Sequence, residues 1–216
     1  MSNLPDPKSN SFKALRDGEH YLNKTYAKMT QCVEDFASGK INRAQFQQLY
    51  AHYEQEVSLV AQLLAESEDP DAWRQAVTEG ESVLIRKRHQ ARSIGFAIYD
   101  NESGMPIETL GEFRVDSGLL VPMLSSYRSA TTEIFRAGMR NTQMENGQWL
   151  CFVPGRFSTL ITLFTQEPSD QQLDVLNRMH DHFEIANHDA LESGTAEPGE
   201  MALPFLAILR QATGKD

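Results

Sequence analysis

From residue 17 to residue 66 the apolar positions recur at steps of three and four. Leu22, Tyr26, Met29, Val33 and Phe36 form one stripe, and Phe46, Leu49, Tyr53, Val57, Val60 and Leu64 form a second. That period places each set on one face of a helix. Gly39 stops the first helix, because glycine takes left-handed backbone at a helix end without penalty. Asn42 caps the second, with Gln45 reaching back in a capping box. Both stripes are close to heptad and the link is short. The pattern predicts an antiparallel helical hairpin over 17–66 whose apolar faces meet. Residues 1–16 are polar with two prolines and read as a flexible leader.

"ESEDPD" (66–71) is a break, acidic and carrying Pro70. A third helix is expected from 71 to 90, with Trp73, Val77 and Leu84 inward. The period then changes from 3.6 to 2. "SIGFAIYD" (93–100) and "PIETLGEF" (106–113) read as strands joined by the turn "NESG", a hairpin. Asp116 or Ser117 caps a fourth helix, 118–138, whose stripe is Leu120, Met123, Leu124, Tyr127, Thr131, Ile134 and Phe135. A modest strand or strand-like loop follows at 140–147, then strands at 148–153 and 157–165. "QEPSD" caps a last helix, 169–191, with Leu173, Leu176, Met179, Phe183, Ala186 and Ala190 inward. Residues 192–216 are a linker-like run ending in a short apolar segment, which docks on the body or on a partner.

The most apolar stretch is "GQWLCFVPGRFSTLITLF" (147–164). A strand covered on one face alternates apolar with polar, and "WLCFV" does not alternate. Both of its faces are therefore expected to be buried, in the middle of a sheet with helices on each side: 71–90 and 169–191 on one face, 118–138 on the other. Pro154-Gly155 suits a type II turn. The expected fold class is α/β (α+β): a five-stranded antiparallel sheet, 71–191, sandwiched by helices and preceded by the helical hairpin.

This order of elements resembles the roadblock/longin-like superfamily, in particular the roadblock-type modules of bacteria. The resemblance is carried by "SIGFAIYDNESGMPIETLG" as the first hairpin with its Asp-x-x-Gly turn, and by "GQWLCFVPGRFSTLITLF" as the later one. It covers about 120 of the 216 residues and lies in pattern and order. It implies a module without catalysis that forms homodimers through the helix after the first hairpin and the neighbouring edge strand, here 118–138 and 140–146. Tyr127, Thr131, Ile134 and Arg136 are the candidate interface residues. It also implies a small Ras-like GTPase as partner. The chain lacks a Walker A loop, so it would be the regulator and its partner the nucleotide binder.

A net charge of −10 repels phosphate backbones and excludes nucleic acid as a general partner. No signal-peptide pattern and no apolar run of spanning length occurs, so the expected compartment is the cytoplasm, without membrane insertion. Cys32 and Cys151 have no metal or CxxC spacing and read as reduced. The one basic cluster, Arg86, Lys87, Arg88 and Arg92, either attracts an anionic partner or complements the dipole of a helix C-terminus.

His180, Glu184 and His188 are spaced by four and share a stripe, the weak candidates for a metal site; a solvated or half-buried helix edge has the same pattern. "EDFASGKINRAQF" (34–46) faintly resembles half of an EF-hand. Phe36 and Gln45 stand where calcium wants carboxylates, which favours a plain helix-turn-helix. Trp149, Phe152, Phe157 and Phe164 are either core or the lining of a pocket. Ser125, Ser126 and Ser158 lack the context of a nucleophile elbow. Asp100, Glu102 and Glu108 lie around the first hairpin without the apolar burial that perturbs a carboxylate pair.

No cofactor and no enzyme activity is expected. The alternative to the regulatory module is a small-ligand sensor of PAS, GAF or profilin-like type, which requires an enclosed cavity against the sheet. A metal-dependent enzyme built on His180 and His188 is a third class.

Overall fold

Helix α1 spans Pro7–Ala37 and α2 spans Arg43–Glu66, in a computed structural model that describes residues 7–77, 80–116, 118, 120, 122–125 and 140–206. Residues 7–16, expected in a leader, are the first turns of α1. Gly39 has φ 70° at the end of α1. At the start of α2 the Gln45 N–H donates to Asn42 Oδ1 (2.8 Å), and the Asn42 N–H donates to Gln45 Oε1 (3.0 Å). Two of the four orphan donors of the helix terminus are thereby satisfied. Residues 34–46 form a plain helix-turn-helix.

The two apolar stripes of the hairpin meet only in part: Met29 packs on the cluster of Cys32, Leu49 and Tyr53, and Phe36 stacks on Phe46 at 4.7 Å. The face that α1 buries is Ala14, Gly18, Thr25 and Cys32, with Tyr21 and Lys28 half-buried along the same line. Its apolar stripe points largely elsewhere: Tyr26, Val33 and Phe36 are exposed, and Leu22 and Met29 are half-buried. The physical reason is close approach. A Cβ added at Gly18 would lie 2.6 Å from Leu64 Cδ2 and 3.2 Å from Trp73 Nε1, so small residues are what allow α1 to approach its neighbours. α2 buries Leu49, Tyr53 and Val60 together with Gln45 and Glu56. The Glu56 carboxylate accepts from Tyr21 Oη at 2.6 Å.

The expected third helix is two pieces. A short 3-10 turn spans Ala72–Ala76, and α3 spans Glu81–Arg88 after Gly80, whose φ is 84°. Trp73 is buried and Val77 half-buried, while Leu84 is exposed and Ile85 takes the inward position. Both pieces pack on the hairpin. Tyr21 and Trp73 have ring centroids 5.4 Å apart, Gln45 Nε2 donates to Arg86 O (2.8 Å), and Asn42 Nδ2 donates to His89 O (2.8 Å). The chain divides into two compact units, Met1–Gln90 and Ala91–Asp216. Residues 71–90 thus belong with the hairpin, where the sequence had suggested a cover for the sheet.

The second unit is built on a five-stranded antiparallel sheet of order β2-β1-β5-β4-β3. β1 is Ser93–Asp100, β2 Pro106–Gly111, β3 Arg140–Gln143, β4 Trp149–Pro154 and β5 Ser158–Phe164. β4 and β5 are central, as the apolar run predicts, and alternate residues enter two separate cores. Phe96, Ile98, Cys151, Val153, Leu160 and Phe164 lie on one face with Leu173, Leu176 and Phe183 of α4 (Asp170–Ala186). Leu150, Phe152, Ile161 and Leu163 lie on the other with Leu120 and Leu124. The helix carrying those two leucines begins where the Gly118 N–H donates to Asp116 Oδ1 (2.8 Å).

α4 ends at Asn187, short of the expected 191, and α5 (His188–Glu192) follows. The Asn187 side chain closes a two-way amide pair with the backbone of Ala202, at 3.0 and 2.8 Å. Met201 and Phe205 are thereby set into the α4-side core, so this part of the terminal segment docks on its own chain. No described helix is long and apolar enough to cross a membrane.

Candidate functional site

β5 starts at Ser158 beside α4, and this is where titratable groups converge. The backbone N–H groups of Arg156, Phe157 and Ser158 donate to the Glu184 carboxylate at 2.8, 2.9 and 2.8 Å, and Ser158 Oγ adds a fourth bond at 2.9 Å. Glu184 therefore holds the β4–β5 turn from the helix. Gly155 is needed for this contact. A Cβ there would collide with the Glu184 carboxylate and His180 Cε1, and its φ is not positive, so the expected type II turn does not form. The turn closes instead with the Gly155 N–H on Ser158 O, at 2.8 Å.

His180 Nε2 lies 2.9 Å from Ser158 Oγ. The hydroxyl has one proton, and its stronger bond is the charge-assisted one to Glu184. It then accepts from Nε2–H, which assigns that tautomer and leaves Nδ1 as a buried lone pair with no partner among the described residues. Protonation would create a buried orphan N–H. Burial accordingly lowers the His180 pKa below its usual 6.5, against the opposing pull of Glu184 and Asp181. Ser158, His180 and Glu184 superficially match a hydrolytic triad. The arrangement differs in two ways. The carboxylate contacts the hydroxyl and not Nδ1, and Ser158 and His180 are 0% and 1% exposed, closed to any substrate.

The lowered pKa of His180 sets an acid limit on stability. The unfolded chain takes up a proton near pH 6.5 that the folded chain refuses, so stability falls as pH drops below about 6.5 and goes on falling until the folded pKa is reached. The slope from this residue is at most about 1.4 kcal/mol per pH unit. Urea unfolding at pH 7.5 and 5.5 should show a smaller loss for His180→Gln than for the wild type. Equal losses would remove His180 as the cause.

The remaining expected site residues are dispersed. His188 begins α5. Its Nδ1 is 3.4 Å from Asp189 Oδ1 and 3.8 Å from Glu192 Oε2, and its ring stands edge-on to Phe157. The helix break at Asn187 takes it off the stripe of His180 and Glu184. Among the described residues no three His, Cys, Asp or Glu side chains are grouped to hold a metal. Arg86, Lys87 and Arg88 lie in the last turn of α3 in the first unit, where Arg86 pairs with Asp35 at 3.2 Å; Arg92 belongs to the second unit. Phe152 and Phe164 enter opposite cores, so the four aromatics do not line one pocket. Burial pushes the Cys151 thiol up to about 12, which makes it inert. A cleft of about 330 Å³ opens at the α4–α5 joint and residues 195–201, and no strand residue lines it.

Tyr127, Thr131, Ile134 and Arg136 lie outside the described residues. The strand expected beside them is described. β3 ends the sheet, paired on one side to β4 from Arg140↔Phe152 to Gln143↔Trp149, and among the described residues no strand pairs with its other side. Asn141 and Gln143 expose polar side chains there. The opposite edge, β2, is crossed by the terminal segment, where the Gly199 N–H donates to Glu108 Oε2 at 2.7 Å. An unpaired strand edge is a template for another chain.

No protein-family model matches the chain, and no curated protein or solved structure matches it significantly.

Proposed function

We propose that this chain is a cytoplasmic, non-catalytic regulatory or scaffold module of roadblock/longin-like type, which forms a homodimer and binds a signalling partner, a small Ras-like GTPase. The observation that carries the reading is the β3 edge, unpaired among the described residues, in a sheet whose two faces are both filled by side chains. With the faces occupied, the edge is the part of the sheet that can accept a second chain through main-chain hydrogen bonds. The burial of Ser158, His180 and Glu184 supports a structural role for these residues. The described cleft, lying away from the strands, favours docking over ligand sensing. The GTPase as partner rests on the resemblance of the two hairpins.

Light scattering should show a self-associated wild type and a lower association state for Ile134→Glu. A panel of small GTPases, loaded with GDP or a GTP analogue, should yield one that binds by calorimetry. A monomeric wild type that binds none of them overturns the reading.

A further inference from the structure

Among the described residues, one side of α1 is left largely exposed and has a regular design. Phe12, Leu15, Glu19, Leu22, Tyr26, Met29, Val33 and Phe36 follow one another at alternating steps of three and four, the seam of a coiled coil, and only Glu19 is polar. Phe12 is 74% exposed, Leu15 39%, Tyr26 52%, Val33 44% and Phe36 38%. The segment 72–88 packs on the side of α1 that carries Tyr21 and Asp35, away from this seam. The apolar face continues onto α2, where Phe46 stacks on Phe36 at 4.7 Å and Tyr50 lies beside Phe46 at 5.7 Å.

We infer that a second copy of this chain covers this face, with the two α1 helices antiparallel. This concerns the first unit alone and does not rest on the function proposed for the sheet. The occupant is argued from charge, length and area. The solvent flank of the seam carries Lys13, Arg16 and His20 toward its beginning and Glu34 near its end, with Asn23, Ala27 and Thr30 between. A parallel copy stacks like charges on one another. An antiparallel copy related by a two-fold axis near residue 24 sets Arg16, which flanks the seam, on the side of Glu34 of the second copy. The same register pairs Phe12 with Phe36, Leu15 with Val33 and Leu22 with Tyr26, and sets Glu19 against Met29. The seam is about 36 Å long at the helical rise, and the two-helix face is roughly 20 Å wide, so each copy offers roughly 700 Å². A stable interface buries about 800 Å² per partner.

Sedimentation equilibrium of the full chain tests the inference. The wild type should self-associate. In the Ile134→Glu background, which removes association through the sheet unit, Val33→Glu, at an exposed position where circular dichroism should stay unchanged, should weaken the remaining association at least 100-fold. Glu19→Leu should strengthen it about tenfold. Arg16→Glu and Glu34→Arg should each weaken it, and the double variant should restore it, because the two charges lie on the same flank across the two-fold axis. Three results overturn the pairing: a wild type that stays monomeric at 100 µM, a Val33→Glu chain that associates as its Ile134→Glu parent does, or a double charge swap without rescue. The second leaves association through the sheet unit standing, since Ile134→Glu reports on that separately.

Discussion

Glu184→Ala is expected to lower the stability of the second unit by about 3–5 kcal/mol, the range for removing one member of a buried charged network. The deletion leaves three backbone N–H groups and the Ser158 hydroxyl without their acceptor, at the turn between the two central strands. A buried donor left unpaired costs about 1–3 kcal/mol, and bonds to a charged acceptor are the stronger kind. Gly155 makes the site unforgiving, because its missing side chain is what admits the carboxylate. Glu184→Gln keeps the shape but turns an amide donor toward backbone donors, so it should cost less, about 1–3 kcal/mol. Urea unfolding at pH 7.5 measures both. A loss below about 1 kcal/mol for Glu184→Ala would falsify the view that this residue holds the turn.

Phe205→Ala should cost a similar amount, about 3–5 kcal/mol for a fully buried phenylalanine. Its ring is 0% exposed and lies 5.4 Å from the ring of Phe96 and 5.8 Å from that of Phe183. The truncation removes the main aromatic anchor that seats residues 201–205 on the sheet unit, leaving Met201 and the Asn187–Ala202 amide pair. Limited proteolysis should then cut near residue 200 well before the body. Unchanged protease resistance, with unchanged unfolding, would mean that the segment contributes nothing to the core.

The sheet was legible in the sequence because its signal is local. "WLCFV" fails to alternate, and a strand that fails to alternate has two buried faces. Leu150 and Phe152 do enter one core, and Cys151 and Val153 the other. The capping box at Asn42 spans only four residues, so its pattern was visible as well.

The turn clamp was not legible. Ser158 is 22 residues from His180 and 26 from Glu184, and no spacing rule joins a strand start to the later turns of a distant helix. The i,i+4 pair of His180 and Glu184 on the border of an apolar stripe was the available signal. It is equally a metal pattern, a solvated edge and a buried clamp.

What the sequence alone determined is the presence and order of the main elements: two opening helices, five strands, the hairpin turn at 101–104 and the capped helix after 169. Tertiary structure decided which face of each helix is covered. Periodicity reveals that α1 is two-sided, but burial needs a neighbour that fits, and Ala14, Gly18, Thr25 and Cys32 let that neighbour approach most closely. The larger apolar residues of the same helix were left outward, where only a further surface can cover them.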